Sequence, residues 1–93
     1  MTSGNPLVMY GAGQKAITEM ANVKREGKNP VCFCDTDTAK QGKTYLGLPV
    51  MSLRDAESKF GNVDIFITPR ESVKEEIYHQ LLRQGVSKQR IVN

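Results

Sequence analysis

The stretch that most constrains this chain is Leu7 to Ala16, LVMYGAGQKA, a short apolar run that passes directly into Gly-x-Gly-x-x-Ala. Such a run reads as a buried strand, and the small residues behind it read as a tight turn into a helix. Gly11 supplies the positive φ of the turn, Gly13 leaves bare backbone, and Ala16 is small enough for the helix to lie close on the strand. A helix that starts there aims its free N–H groups at whatever fills the space over Gly13, and an anion suits that space best.

The rest of the chain repeats the alternation. Gln14 to Glu26 carries Ala16, Ile17, Met20, Ala21 and Val23 largely on one helical face, and Gly27 stops it. Val31 to Cys34 reads as a second strand, ending in Asp35-Thr36-Asp37. Thr38 to Thr44 reads as a polar loop, and Pro49 to Met51 as a third strand. Ser52 to Asp55 has the form of a capping box that opens a brief helix to Phe60. Val63 to Thr68 is a fourth strand, and Ser72 to Glu75 has the form of a second capping box. That box opens a helix with Val73, Ile77 and Leu81 on its face, flanked by Tyr78 and Leu82. Arg90 to Asn93 reads as a fifth strand. With right-handed crossovers this order predicts an α/β fold, a small three-layer sandwich whose parallel sheet of about five strands runs 3-2-1-4-5 with helices on both faces.

Ninety-three residues make one domain, with too little chain for a second substrate domain. The last predicted strand lies almost at residue 93, which suggests a domain excised from a larger protein and linked there to a neighbouring domain. A hydrophobic share of 39% and a charged share of 25% are those of a globular domain. No apolar run approaches the ~18 residues of a membrane span, and the N-terminus lacks the basic-then-apolar pattern of an export signal. No membrane association is therefore expected, and the cytoplasm is the expected location. Thirteen Lys and Arg against 10 Asp and Glu give +3, but the basic residues are scattered without an interleaved aromatic platform, so nucleic acid is not an expected partner. Cys32 and Cys34 stand two apart on one strand face, a spacing that strains a mutual disulfide and supplies only half of a zinc site. Buried free thiols are expected.

In a parallel sheet of this kind the ligand crevice lies beyond the C-terminal strand ends, and three loops converge there. The first, Gly11-Ala12-Gly13-Gln14-Lys15, is read as a diphosphate cradle of backbone amides, with the Lys15 ammonium either adding charge or pointing into water. The second, Asp35-Thr36-Asp37, places a carboxylate 22 residues beyond Gly13, near the ~20-residue spacing at which an acid meets ribose hydroxyls. Asp35 would then favour unphosphorylated ribose, as in NAD, unless Lys40 or Lys43 folds back to offset it. The competing reading is that Asp35 or Asp37 caps its own loop. The third, Thr68-Pro69-Arg70, would meet the distal half of a ligand, and Arg70 either grips a second anion or pairs with Glu71 or Glu75.

Catalytic groups are harder to find. Tyr10, Tyr45 and Tyr78 are followed four residues on by Gln14, Pro49 and Leu82, so none forms the Tyr-x-x-x-Lys pair of a sugar dehydrogenase. His79, the sole histidine, sits in a charged helix away from the strand ends, and no metal-ligand cluster, nucleophile elbow or Walker-type loop is present. No complete catalytic constellation is expected in these residues.

The runs VMYGAGQKA, VCFCDTDTAKQGKTYLGLPV and VDIFIT resemble the Rossmann-like N-terminal nucleotide-binding domains of bacterial polysaccharide-biosynthesis and nucleotide-sugar-modifying proteins. The likeness rests on Tyr10 to Gly13, Phe33 to Asp37, Lys40 to Gly42 and Gly47 to Val50. It departs from that pattern at Cys34, where an apolar residue is usual, and a small apolar cysteine changes little. The resemblance implies binding of NAD or a nucleotide-sugar at Gly11, Gly13 and Asp35, with any chemistry in an accompanying domain. Three alternatives stay open. One is an enzyme domain whose acid and base lie elsewhere, another an S-adenosylmethionine site of the methyltransferase type. The last is a degenerate interaction module that binds no ligand.

Overall fold

A computed structural model describes residues 4–93; Met1 to Ser3, which enter the reading of the N-terminus, lie outside the described residues. The elements are β1 (Leu7–Tyr10), α1 (Lys15–Arg25), β2 (Cys32–Cys34), β3 (Thr44–Tyr45), β4 (Leu48–Met51), α2 (Leu53–Phe60), β5 (Asp64–Ile67) and α3 (Glu71–Arg83). The sheet order is β3-β4-β2-β1-β5, parallel throughout except for the β3–β4 hairpin. A single parallel bridge, Ile65 to Ile91, adds the chain's last segment beside β5. The expected α/β sandwich and strand order are therefore present.

Period-two alternation sorts the sheet's side chains into two cores. Val8, Cys32, Cys34, Ile65 and Ile67 face one side, where Ala56 of α2 and Leu81 of α3 meet them. Met9 and Phe33 face the other, where Ala16, Met20 and Val23 of α1 close the layer. Ala16 is fully buried, as close contact of helix and strand requires. Both cysteines are free and buried in the first core. A hydrogen bond between them, reinforced by burial, raises the Cys34 thiol far above the ordinary cysteine range, so it stays protonated.

Four local readings change. Thr44, read as the end of a loop, and Tyr45, given no element, pair with Pro49 and Leu48 as an antiparallel edge strand. The turn between them is Leu46-Gly47, with φ of 49° and 83°, the doubly positive conformation that matches the twist of a two-residue hairpin. Ser52 caps α2 as expected, its Oγ accepting from Asp55 N–H at 3.0 Å, but α3 starts at Glu71. Ser72 thus lies inside the first turn of α3 and caps nothing. Ile17 and Val73, read onto buried faces, are 55% and 48% exposed, because the sheet covers a narrower stripe of each helix than the sequence pattern offers. The predicted fifth strand shrinks to the Ile91 bridge, since residues Lys88–Arg90 coil into a 3₁₀ turn. Arg90 anchors that turn by donating to the Val63 carbonyl and to Glu57.

Candidate functional site

The crossover through α1 runs to one face and that through α2 to the other, so the chain diverges beside β1, where the predicted loops meet. Gly11 continues the ladder of β1, donating to the Cys34 carbonyl at 2.7 Å, and its φ of 117° turns the chain toward α1. A Cβ at Gly11 would collide with Thr68 Oγ1 and lie 2.9 Å from Pro69 Cδ. Glycine is therefore demanded twice at this position, by conformation and by space. Gly13 differs: nothing lies within 4 Å of where its Cβ would be, and its backbone does not need a positive φ. It borders open space, as a turn that admits a ligand should.

Beyond Gly13 the first helical donors are Ala16 N–H, to the Gly13 carbonyl, and Ile17 N–H, to the Gln14 carbonyl. The amides of Gly13, Gln14 and Lys15 thus precede the intrahelical ladder. Gln14, at the N-cap, makes no side-chain cap, and the first turn of α1 has no acid. Lys15 and Gln14 are both exposed. Partial positive charge at this helix start is left uncompensated by α1 itself, in contrast to α2, which has both Ser52 and Asp55.

Asp35 meets this turn from the tip of β2. Its Oδ2 accepts from Ala12 N–H at 2.9 Å and its Oδ1 from Asp37 N–H at 2.9 Å. The side chain is 15% exposed, and Lys40 Nζ stands 3.8 Å from Oδ2. Beside the ribose contact expected of it, Asp35 thus makes the competing loop cap, and of the two lysines considered it is Lys40 that folds back toward the acid. Asp37 accepts from Ala39 N–H at 2.9 Å and, like Thr36, is exposed.

Two contacts were not anticipated from the sequence. Lys40 Nζ donates to the Ala12 carbonyl at 3.3 Å, and Tyr45 Oη donates to the Gly13 carbonyl at 2.8 Å. The Tyr45 ring stands edge-on to buried Phe33, with centroids 5.3 Å apart. Lys40 and Tyr45, with Ala12, Lys43 and Thr44, line a cleft of about 210 Å³ beside the glycine turn. The sequence signal for Tyr45 was its place between Gly42 and Gly47, which allow a hairpin, but a loop read up to Thr44 and no strand before Pro49 left it without an element. A larger cleft, about 540 Å³, lies at the opposite edge around Pro6, Asn29 and Val92, away from the strand tips where these loops converge.

At the third loop the structure separates the candidates. Thr68 is 1% exposed, its hydroxyl held by the carbonyls of Tyr10 at 3.2 Å and Gly11 at 2.7 Å, so it frames the turn from below. Pro69 is half-buried against Gly11. Arg70 is half exposed and pairs with Glu19 of α1 at 2.8 Å, in place of the Glu71 or Glu75 considered from sequence. Burial pushes the Glu19 carboxyl up, but hydrogen bonds from Asn22 and Arg70 outweigh it and hold the group below its usual range. Glu71 has a φ of 61°, a left-handed conformation that strains a non-glycine residue.

Catalytic equipment is sparse. Burial, assisted by the Asp35 carboxylate, raises the Tyr10 phenol above its ordinary value, so it remains neutral. His79 is exposed on α3. Among the described residues no group of His, Cys, Asp and Glu is arranged to hold a metal, and no helix is long and apolar enough to cross a membrane.

A parallel sheet covered on both faces, with a glycine turn and an acid at neighbouring strand tips, defines a Rossmann-type α/β domain. Within that class, the chain belongs to the C2185-like N-terminal domain family, which it matches across residues 4–92. Among solved structures it is similar to UDP-D-quinovosamine 4-dehydrogenase from Vibrio fischeri. The TM-score is 0.62 at 23% identity, over 86% of this chain and 70% of that one, a likeness of fold. No curated protein matches the chain.

Proposed function

We propose that this domain binds NAD(H) or a nucleotide-sugar, as the nucleotide-binding part of a larger protein of sugar or polysaccharide biosynthesis. One observation carries the reading: beyond the C-terminal end of β1 the amides of Gly13, Gln14 and Lys15 precede the helical ladder with no side-chain cap, and the space beside the Gly13 Cα is open. A diphosphate is the chemical group that such a turn receives with backbone alone, and both NAD and nucleotide-sugars contain one. The ribose would lie beside the β2 tip, near Asp35, Thr36 and Asp37. The fold likeness to a dehydrogenase named for a UDP-sugar supports the same ligand class. Reaction chemistry is assigned to a neighbouring domain, because the titratable pair at the β2 tip, Asp35 and Lys40, is engaged with itself and with the backbone of the loops.

Titration of the ¹⁵N-labelled chain with NAD, UDP-sugars and S-adenosylmethionine tests the proposal. The expected result is a shift of the amides of residues 11–16 with NAD or a UDP-sugar, reversed by competing ADP. A response to S-adenosylmethionine alone, or to no nucleotide, overturns it.

A further inference from the structure

We infer that Asp35, Lys40 and Tyr45 are positioning residues that clasp the glycine turn, and that the charge of Asp35 does not select the ligand's ribose. The ribose part of this inference rests on the nucleotide reading above; the clasp itself does not.

Three observations converge. Asp35 has both carboxylate oxygens occupied by backbone donors, Ala12 N–H and Asp37 N–H, and only 15% of its side chain is exposed. An acid that reads ribose hydroxyls needs acceptor sites facing the crevice; of the roughly four on this carboxylate, two are taken by backbone amides and the Lys40 ammonium stands against Oδ2, so little of its accepting capacity is left for a ligand. Lys40 lies 3.8 Å from Asp35 and donates to the Ala12 carbonyl, so one ion pair grips Ala12 by its N–H and its C=O together. Tyr45 takes the next carbonyl, that of Gly13, and its own ring is fixed against buried Phe33. Gln41 Nε2 steadies the acid's backbone by donating to the Asp35 carbonyl at 2.8 Å.

The polar groups on one side of the turn are thus all engaged by residues 35–45. What is left over is the row of amides from Gly13 to Lys15. The acid's charge is also partly offset by the adjacent ammonium, which weakens the repulsion by which a free carboxylate excludes a 2′-phosphate. The site as built therefore treats phosphorylated and unphosphorylated ribose alike.

Hydrogen exchange of the Ala12 amide, read in the ligand-free chain, is the first measurement. Asp35→Ala should accelerate it roughly tenfold or more and Asp35→Asn, which retains one acceptor oxygen, by less. Affinity for NAD and NADP is the second. Both should fall together in Asp35→Ala and in Tyr45→Phe, by roughly tenfold, with their ratio moving less than about threefold. Tyr45→Phe leaves the acid and the aromatic contact in place, so it reports on the clasp should Asp35→Ala fail to fold. Unchanged Ala12 exchange in the folded Asp35 variants overturns the clasp. A shift of preference toward NADP in Asp35→Asn returns Asp35 to ribose reading and overturns the specificity claim. A chain that binds neither dinucleotide while Ala12 exchange still accelerates supports the clasp, and places the failure in the nucleotide reading instead.

Discussion

The side-chain amide of Asn93 pairs with the main chain of Ile67 as a neighbouring strand would. Its Oδ1 accepts from Ile67 N–H and its Nδ2 donates to the Ile67 carbonyl, both at 2.8 Å. Val92 N–H has just donated to the Ile65 carbonyl, so one backbone bond and one side-chain amide together cover the outer edge of β5. Asn93→Ala leaves both groups of Ile67 without that partner. The expected cost is about 1 to 2 kcal/mol, with faster exchange of the Ile67 amide read by NMR. An unchanged rate at Ile67 would mean that water replaces the side chain without loss.

The two glycines of the turn should respond oppositely. Gly11→Ala meets Thr68 and Pro69 and a backbone angle hostile to a Cβ, and is expected to destabilise the fold by roughly 3 kcal/mol in denaturant unfolding. Gly13→Val meets nothing within 4 Å, so the fold should survive while the phosphate's approach is blocked. Its midpoint should stay close to that of the parent chain, and nucleotide affinity should drop at least tenfold. Retained affinity in that variant discards the diphosphate assignment.

Leu46 is an unusual choice for its turn. It combines a φ of 49° with 42% exposure, so it packs little and is held in a conformation that asparagine adopts more readily. Leu46→Asn is expected to stabilise the domain by about 0.5 to 1 kcal/mol, seen as a rise of a few degrees in the thermal midpoint. A lower midpoint would reveal a packing role for the leucine.

The Glu19–Arg70 pair ties the first part of α1 to the loop after β5. Since the Glu19 carboxyl titrates below its usual value in the folded chain, its stabilisation is complete above the ordinary glutamate range, about 4.3. It is lost as pH falls through the lower folded value. Glu19→Gln should flatten the acid limb of a stability-against-pH curve by lowering neutral-pH stability modestly while the low-pH end stays where it is, modestly because Arg70 is half exposed. Identical acid limbs in the two proteins would assign that limb to other carboxylates.

The core strands and their order were legible because Val8, Met9, Phe33, Ile65 and Ile67 form apolar runs bounded by glycine or polar turns, which local pattern alone can report. The glycine turn was legible for the same reason. Its partners were not. That Asp35 faces Ala12 depends on the register of β1 against β2, and that Tyr45 reaches Gly13 depends on a two-residue strand too short to leave a periodic signal. Arg70 finding Glu19 across 51 positions is likewise a property of packed elements, invisible to a reading in which nearby charges are weighed first. The final strand failed for a different reason: Arg90 is drawn inward to Val63 and Glu57, and the 3₁₀ turn this requires replaces extended backbone.

The contact between Gly11 and the Thr68–Pro69 step makes positions 11, 68 and 69 a single interlocking joint. Bulk cannot enter at 11 even if it is carved away opposite, because the backbone angle there excludes a Cβ by itself; the constraint runs the other way, from the glycine onto what 68 and 69 can carry. Aligned sequences of the family should therefore show column 11 held as glycine, with 68 and 69 restricted to side chains that leave it room.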